Sequence, residues 1–244
     1  MQDSTIRPYK KGNTSKKEEV RAMFNNIAHR YDFLNHFLSL GIDKIWRRKA
    51  IRILQKHNPA HILDVATGTG DFAVMARKLN PEKITGIDIS SGMLEVGRKK
   101  IHSKKLDELI ELQLGDSENL PFEDQCFDSV IVAFGVRNFE NLNKGLKEMQ
   151  RVLKKGGIVL ILEFSIPTNW LFKSLYNIYF FKILPFFGRL FSKDKAAYTY
   201  LPESVYAFPS GNRFLEMLDN CGFCQNAQKR LSGGIASIYT GIKQ

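Results

Sequence analysis

The chain is poor in cysteine and has no long uninterrupted apolar run. Only three cysteines occur in 244 residues, Cys126, Cys221 and Cys224. That is too few for a disulfide framework and fits a reducing compartment. Cys221 and Cys224 have redox-motif spacing, but nothing around them reads as a thioredoxin-type βαβ unit, so a turn entering a late strand is the simpler reading. With no second pair or histidine nearby in sequence, no metal site is expected. No stretch of roughly 18 or more uncharged apolar residues exists, so no membrane-spanning helix is expected. The first residues lack an apolar core between basic flanks, so no secretory leader is expected and the chain is read as cytoplasmic. Internal repeats and low-complexity runs are also missing.

Acidic residues are in deficit, 25 against 36 Lys and Arg, giving a net charge of +11. The excess lies at the front, in Lys10, Lys11, Lys16, Lys17, Arg21, Arg30, Lys44, Arg47, Arg48, Lys49 and Arg52. It suits a solvated basic face, or weak peripheral attraction to the inner face of an anionic membrane at on the order of 1 kcal/mol per basic residue. Charge alone also allows a non-catalytic nucleic-acid or membrane-surface module. The motifs that follow outweigh it, and no nucleic-acid partner is expected.

What is present is informative. Residues 62–71 read ILDVATGTGD. A short apolar strand closes on Asp64, and Gly68 and Gly70 then strip side chains from the turn, so backbone can approach a ligand closely. Phe72, Val74, Met75 and Leu79 follow at helical spacing. Strand, glycine loop and helix start make a doubly wound nucleotide site. Gly68, Gly70 and Ala73 also satisfy G-x-G-x-x-G/A, the dinucleotide pattern. The next strand, KITGIDIS (83–90), ends in Asp88, placed to meet ribose hydroxyls. NAD and S-adenosylmethionine both carry such a ribose. Asp64 and Asp71, flanking the loop, would repel a pyrophosphate and suit an ammonium and a sulfonium, which favours S-adenosylmethionine over an NAD-linked oxidoreductase. Thr69 completes the turn under the methionine portion. IELQLGDSENLPF (110–122) then offers Asp116 and Ser117 to the adenine edge, and Met93 is read as packing on adenine or in the core.

CFDSVIVAFGVRNF (126–139) reads as a central strand. A helix from Leu142 to Leu153 is expected to end at Lys154-Lys155-Gly156-Gly157, before the buried strand IVLILEFS (158–165). Residues 17–57 read as two or three helices, forming an N-terminal cap over the cofactor site. WLFKSLYNIYFFKILPFFGRLF (170–191) is dense in aromatics interrupted by basic residues and Pro185; a buried core helix and a lid over an apolar substrate, touching the bilayer interface, are the two readings. Residues 210–221 read as a last body helix and 222–243 as an antiparallel hairpin. The expected fold is α/β: a doubly wound, Rossmann-like, mostly parallel seven-stranded sheet with a helical cap and a helical aromatic lid. The division is a flexible basic arm at 1–16 and one domain at 17–244, its cap at 17–57 and its lid at 166–209.

Two stretches, RYDFLNHFLSLGIDKIW (30–46) and RVLKKGGIVLILEFS (151–165), with FGVRNF (134–139) and YLPESVYAFP (200–209), resemble the UbiE/COQ5 family of quinone C-methyltransferases. The resemblance runs from about residue 18 to 243. It departs at Leu34, Asp43, Lys155 and Ala133, where relatives commonly carry Met, His, Pro and Ser. It implies a class I S-adenosylmethionine-dependent methyltransferase that C-methylates a lipophilic demethylquinol. Demethylmenaquinol is the first substrate expected, and a ubiquinone-pathway polyprenyl methoxybenzoquinol the alternative. The oligomeric state is open, a homodimer among the options. The catalytic candidates are Arg137 and Asn138, directly after a strand end, with Tyr31 and Asp32 on the cap and Asn35 beside Tyr31. Arg137 either acts on the phenol electrostatically or pairs with a structural carboxylate. Asp32 either accepts a proton or caps a helix. His36 is read mainly as packed, and Tyr198, Tyr200 and Glu203 as contacts to the substrate ring.

Overall fold

In the computed structural model, residues 6–10, 12–179 and 195–244 are described. Two helices lead, α1 (Lys16–Leu38) and α2 (Ile42–Leu54). The body alternates β1 (His61–Val65), α3 (Asp71–Ala76), β2 (Lys83–Asp88), α4 (Ser91–Ser103), β3 (Ile110–Leu114), β4 (Phe127–Ala133), α5 (Leu142–Val152) and β5 (Leu153–Phe164). Then come α6 (Trp170–Ile178), α7 (Lys195–Ala207), α8 (Asn212–Asn220), β6 (Phe223–Leu231) and β7 (Ala236–Lys243).

The seven strands run in the order β3-β2-β1-β4-β5-β7-β6. The first five are parallel, while β7 is antiparallel to both β5 and β6. The strand order reverses between β1 and β4, so their carboxyl ends open the crevice where such sheets bind ligands.

Each face of the sheet is apolar because alternate strand residues point to opposite sides. Leu63 and Val65 join the core under α5 and α8, whereas Ile62 joins the core under α2, α3 and α4. Helix α5 buries Leu142, Leu146, Met149 and Val152, a single stripe at helical spacing, and starts at Asn141, whose side chain accepts from Lys144 N–H. A third, smaller core joins α1 (Val20, Met23) to α6 (Tyr176) and α7 (Ala197, Tyr200, Val205). The cap and the insertion thus pack on each other. Among the described residues, no helix is long and apolar enough to cross a membrane.

Two expectations need correction or limit. The helix before β5 does not end at a glycine cap. Leu153 is already extended (φ −69°, ψ 141°), and 154–157 form the irregular start of β5, with Gly156 at φ 74°. Pairing of Phe127 with Leu153 wins over local helix-stop chemistry. Of the aromatic stretch, residues 180–191 lie outside the described residues, as do 1–5 and 11 of the arm. Residues 6–10 of that arm meet α1: the Tyr9 and Lys10 amides donate to Glu19 Oε2 at 2.7 and 2.9 Å.

Phe214 is fully buried against Phe208 and Tyr239, with ring centroids at 5.0 and 4.7 Å. Replacing it by Ala should lower the unfolding free energy by about 3–5 kcal/mol. Urea titration will test this, and a loss below about 1 kcal/mol would show that α8 and β7 are not part of the cooperative core.

Candidate active site

At the switch point the chain turns from β1 into α3 through Ala66–Gly70. Ala66, Gly68 and Gly70 hold φ 52°, 58° and 78°, the left-handed region. At Gly68 a Cβ would stand 3.3 Å from Met93 Cε, which closes the floor of the turn. The loop is tied to β2 by Thr67 N–H on Ile87 O at 2.9 Å.

Two buried carboxylates fix this loop. Asp88 accepts from Gly68 N–H through Oδ2 and from Ser90 N–H through Oδ1, both at 2.8 Å. Asp64 accepts from Thr67 Oγ1 (2.7 Å) and Ala73 N–H (3.0 Å), both on Oδ2. Burial pushes the Asp64 carboxyl up to about 7 and that of Asp88 up to about 6, against the pull of these donors.

The cleft encloses about 660 Å³, part of it open to solvent. Its lining includes Gly68, Asp88, Met93, Asp116 and Ser117, and with them Tyr31, Ala133, Phe134 and Asn138. Helix α1 roofs it through Lys17, Val20, Phe24 and Tyr31. The roof is pinned at several points. Lys16 Nζ, buried and pushed down to about 8 by that burial, donates to Phe139 O at 2.8 Å and Arg137 O at 3.1 Å. Lys17 Nζ meets Asp116 Oδ2 at 2.7 Å and Glu118 Oε2 at 3.4 Å. Asn25 Oδ1 accepts from Ser90 Oγ and Gly92 N–H at 2.7 and 3.0 Å.

The structure therefore gathers Gly68, Asp88, Asp116, Ser117, Tyr31 and Asn138 around one cavity. It turns others aside. Asp64 lies near the end of β1 and is not among the cleft-lining residues, so the expectation that it faces a cationic ligand gives way to a role in holding the turn. Asp71 is taken by Lys100 and by His36 Nε2 at 3.3 Å. Burial would raise its carboxyl, but Lys100 and Arg47 outweigh that and hold it low. Lys100 Nζ also meets Asp32 Oδ2 at 2.6 Å and Thr69 Oγ1 at 3.0 Å. Asp32 and Thr69, expected at the chemistry and at the cofactor, instead clamp α1 to the loop. His36 bonds Asp43 through Nδ1 at 3.0 Å, a packed role.

Arg137 is buried, and Nη1 donates to Glu163 Oε1 at 2.8 Å. Of its two sequence readings, pairing with a carboxylate is the one seen. Burial raises the Glu163 carboxyl and Arg137 opposes it. The guanidinium also lies 5.4 Å from the centroid of the Phe164 ring. Asn138 Nδ2 donates weakly to Phe134 O at 3.4 Å, and its Oδ1 is buried with no partner among the described residues. Burial raises the Tyr31 hydroxyl, and a hydrogen bond with Asn35 pulls it back. Tyr200 is buried on α7, its hydroxyl raised by burial, while Glu203 pairs with Lys10 at 3.3 Å. The side chain of Tyr198 lies outside the described residues. Sequence reading missed Glu163, although a lone acid inside an apolar strand was the signal; Lys17, Asn25 and Lys100 carried none.

Two outcomes follow from these pairs. Arg137→Ala should destabilise the fold by about 3–5 kcal/mol by stranding Glu163, and the double variant Arg137→Met/Glu163→Gln should recover most of that loss in urea titrations. Asp64 and Asp88 bind protons more tightly folded than unfolded. Their contribution is intact below the ordinary carboxylate pKa and falls as pH rises to about 6 and about 7. Unfolding free energies should thus shift in favour of Asp64→Asn over wild type between about pH 5 and 8. A difference that stays flat across that range contradicts the assignment.

The fold matches solved structures at low identity. A crystal structure of the [4+2]-cyclase SpnF superposes with a TM-score of 0.67 at 15% identity, covering 93% of this chain and 96% of that one. A S-adenosylmethionine-dependent methyltransferase, possible histamine N-methyltransferase, from Thermotoga maritima gives 0.62 at 20% identity over 92% and 99%. Sequence relatives are nearer. A demethylmenaquinone methyltransferase of Bacteroides fragilis is 48% identical over 98% of this chain and 97% of its own length. A ubiquinone/menaquinone biosynthesis C-methyltransferase UbiE of Geotalea daltonii is 49% identical over 94% and 98%. The family model described as the ubiE/COQ5 methyltransferase family matches residues 12–243, and the chain belongs to that family.

Proposed function

We propose that the cleft binds S-adenosylmethionine and that the chain methylates a ring carbon of demethylmenaquinol. The observation that carries this reading is one cavity with both polar and aromatic lining. Asp88, Asp116, Ser117 and Asn138 offer polar groups to it, and Tyr31 and Phe134 aromatic surface. Near-full-length similarity to demethylmenaquinone methyltransferases supports the acceptor.

When bound, S-adenosylmethionine supplies a methyl group on a cationic sulfur, already activated for in-line displacement. The protein's task is mainly placement. Each Asp88 oxygen keeps a free lone pair after its backbone donor, enough to accept from two ribose hydroxyls. Asp116 and Ser117 stand at the end of β3 for the adenine edge, where Asp116 is now held by Lys17. The glycine loop leaves room for the methionine portion.

The acceptor's ring carbon becomes nucleophilic as the neighbouring phenol, ordinarily near pKa 10, loses its proton to water; once that carbon has taken the methyl group, its hydrogen leaves as a proton and the aromatic ring is restored. Arg137 cannot take that proton, because a guanidinium has no acceptor. Paired with Glu163 and absent from the cleft lining, it serves to hold the turn that presents Asn138 to the cleft. Asn138 Oδ1 is an unmet acceptor on the cleft and orients the phenol O–H. Tyr31 closes the cleft from the roof. Relatives named for both ubiquinone and menaquinone biosynthesis support a second acceptor, a methoxybenzoquinol of the ubiquinone branch.

Incubating purified protein with labelled S-adenosylmethionine and both reduced quinols, short-chain forms, should label demethylmenaquinol. Asn138→Ala should cut turnover about tenfold or more while binding of S-adenosylhomocysteine stays near wild type. Transfer to neither quinol, with S-adenosylhomocysteine still bound, would overturn the acceptor; no binding of S-adenosylhomocysteine would overturn the donor.

A further inference from the structure

We propose that the turn between α1 and α2, together with the outer face of α2, seats the protein on an anionic phospholipid bilayer. Four large apolar side chains stand in water at this one hairpin: Phe33 (62% exposed), Leu40 (83%), Ile42 (37%) and Ile45 (46%). They are half of the eight such exposed side chains among the described residues, so the patch is a concentration and not scatter. Leu40 also holds φ 50°, a left-handed conformation that a branched side chain disfavours. That backbone ends α1, with Gly41 N–H on His36 O at 2.9 Å, and leaves the Leu40 side chain outward.

The tip is held out by a built support. Behind it Asp43 is buried, accepts from Ser39 Oγ at 2.6 Å, and is bonded to Arg47 and to His36. Burial would raise Asp43, but Ser39 and Arg47 hold it low, so it stays ionised and the turn stays closed. Gly41, at φ 73°, completes the reversal.

Charge names the occupant. The exposed charged residues of α2 are Lys44, Arg48, Lys49 and Arg52, all basic, because its one acid is the buried Asp43. Ile45, Arg48, Lys49 and Arg52 share a face at helical spacing, so the apolar tip continues into a basic flank. A recess of about 650 Å³ lies beside it, lined by Lys44, Arg48, Arg77 and Lys78, with Asp71 there already paired to Lys100. That recess suits a phosphate headgroup. A second copy of this chain would set like charges against each other, and an acidic protein would explain the basic residues without the inserted apolar tip. Aromatic and aliphatic groups at the tip, with cations behind them, match the boundary of an anionic bilayer. Tyr31, on the same helix, lines the reaction cleft. That the hairpin delivers a lipid acceptor rests on the proposed reaction; the docking itself does not.

The full-length protein should sediment with vesicles of phosphatidylcholine and phosphatidylglycerol, weakly with phosphatidylcholine alone, and less as salt rises. Leu40→Ser/Ile45→Ser and, separately, Arg48→Glu/Lys49→Glu should each weaken that binding about tenfold or more, with thermal midpoint and S-adenosylhomocysteine binding unchanged. Wild-type vesicle binding by both variants would overturn the proposal. So would loss of binding through Trp170→Ala alone, or a tip variant that changes only the oligomeric state. Transfer to a short-chain quinol should persist in the tip variants. Its persistence beside normal vesicle binding sinks the docking alone, and absent transfer in wild type beside the expected vesicle results sinks the reaction alone.

Discussion

Two carboxylates buried at the ends of neighbouring parallel strands hold the cleft open. Asp64 and Asp88 would be costly where they are without donors. The donors are the amides of the loop and of the first turns after it, so the loop is held in one shape. That shape needs three left-handed residues in five. It is therefore available to a chain that places glycine at two of them. The same burial makes both acids reluctant to ionise, and of the two only Asp88 lines the cleft, an acceptor already fixed in place.

The roof follows a different rule. Helix α1 joins the body largely through polar contacts: Lys16 to carbonyls, Lys17 to Asp116, Asn25 to Ser90 and Gly92, Asp32 to Lys100 and Thr69. Such contacts exchange with water at a modest net cost, about 0.5–1.5 kcal/mol each. The roof's apolar contacts go instead to α6 and α7, so the cap and the insertion share one small core.

The Arg137–Glu163 pair fixes the turn after β4. Both groups are buried, with Arg137 Nη1 2.8 Å from Glu163 Oε1. The guanidinium lies 5.4 Å from the centroid of the Phe164 ring, while the neighbouring Phe134 ring, 4.6 Å from that of Phe164, faces Arg47.

Local pattern was enough for the alternating strands, the glycine turn, the placing of Asp88, Asp116 and Ser117 on the cleft, and the antiparallel tail. Each is set by neighbours a few residues away: period-two burial, positive φ, an acid closing a strand. Tertiary structure alone decided which charges face the ligand. Asp64, Asp71, Asp32 and Arg137 look alike in sequence, as polar groups next to loops. Their partners, Ala73, Lys100 and Glu163, lie 9, 29, 68 and 26 positions away in the chain. The helix expected to stop at Gly156 fell to the same cause, because Leu153 found a strand partner in Phe127. An ionisable group's role depends on what folding brings within about 3 Å of it, and spacing along the chain does not record that.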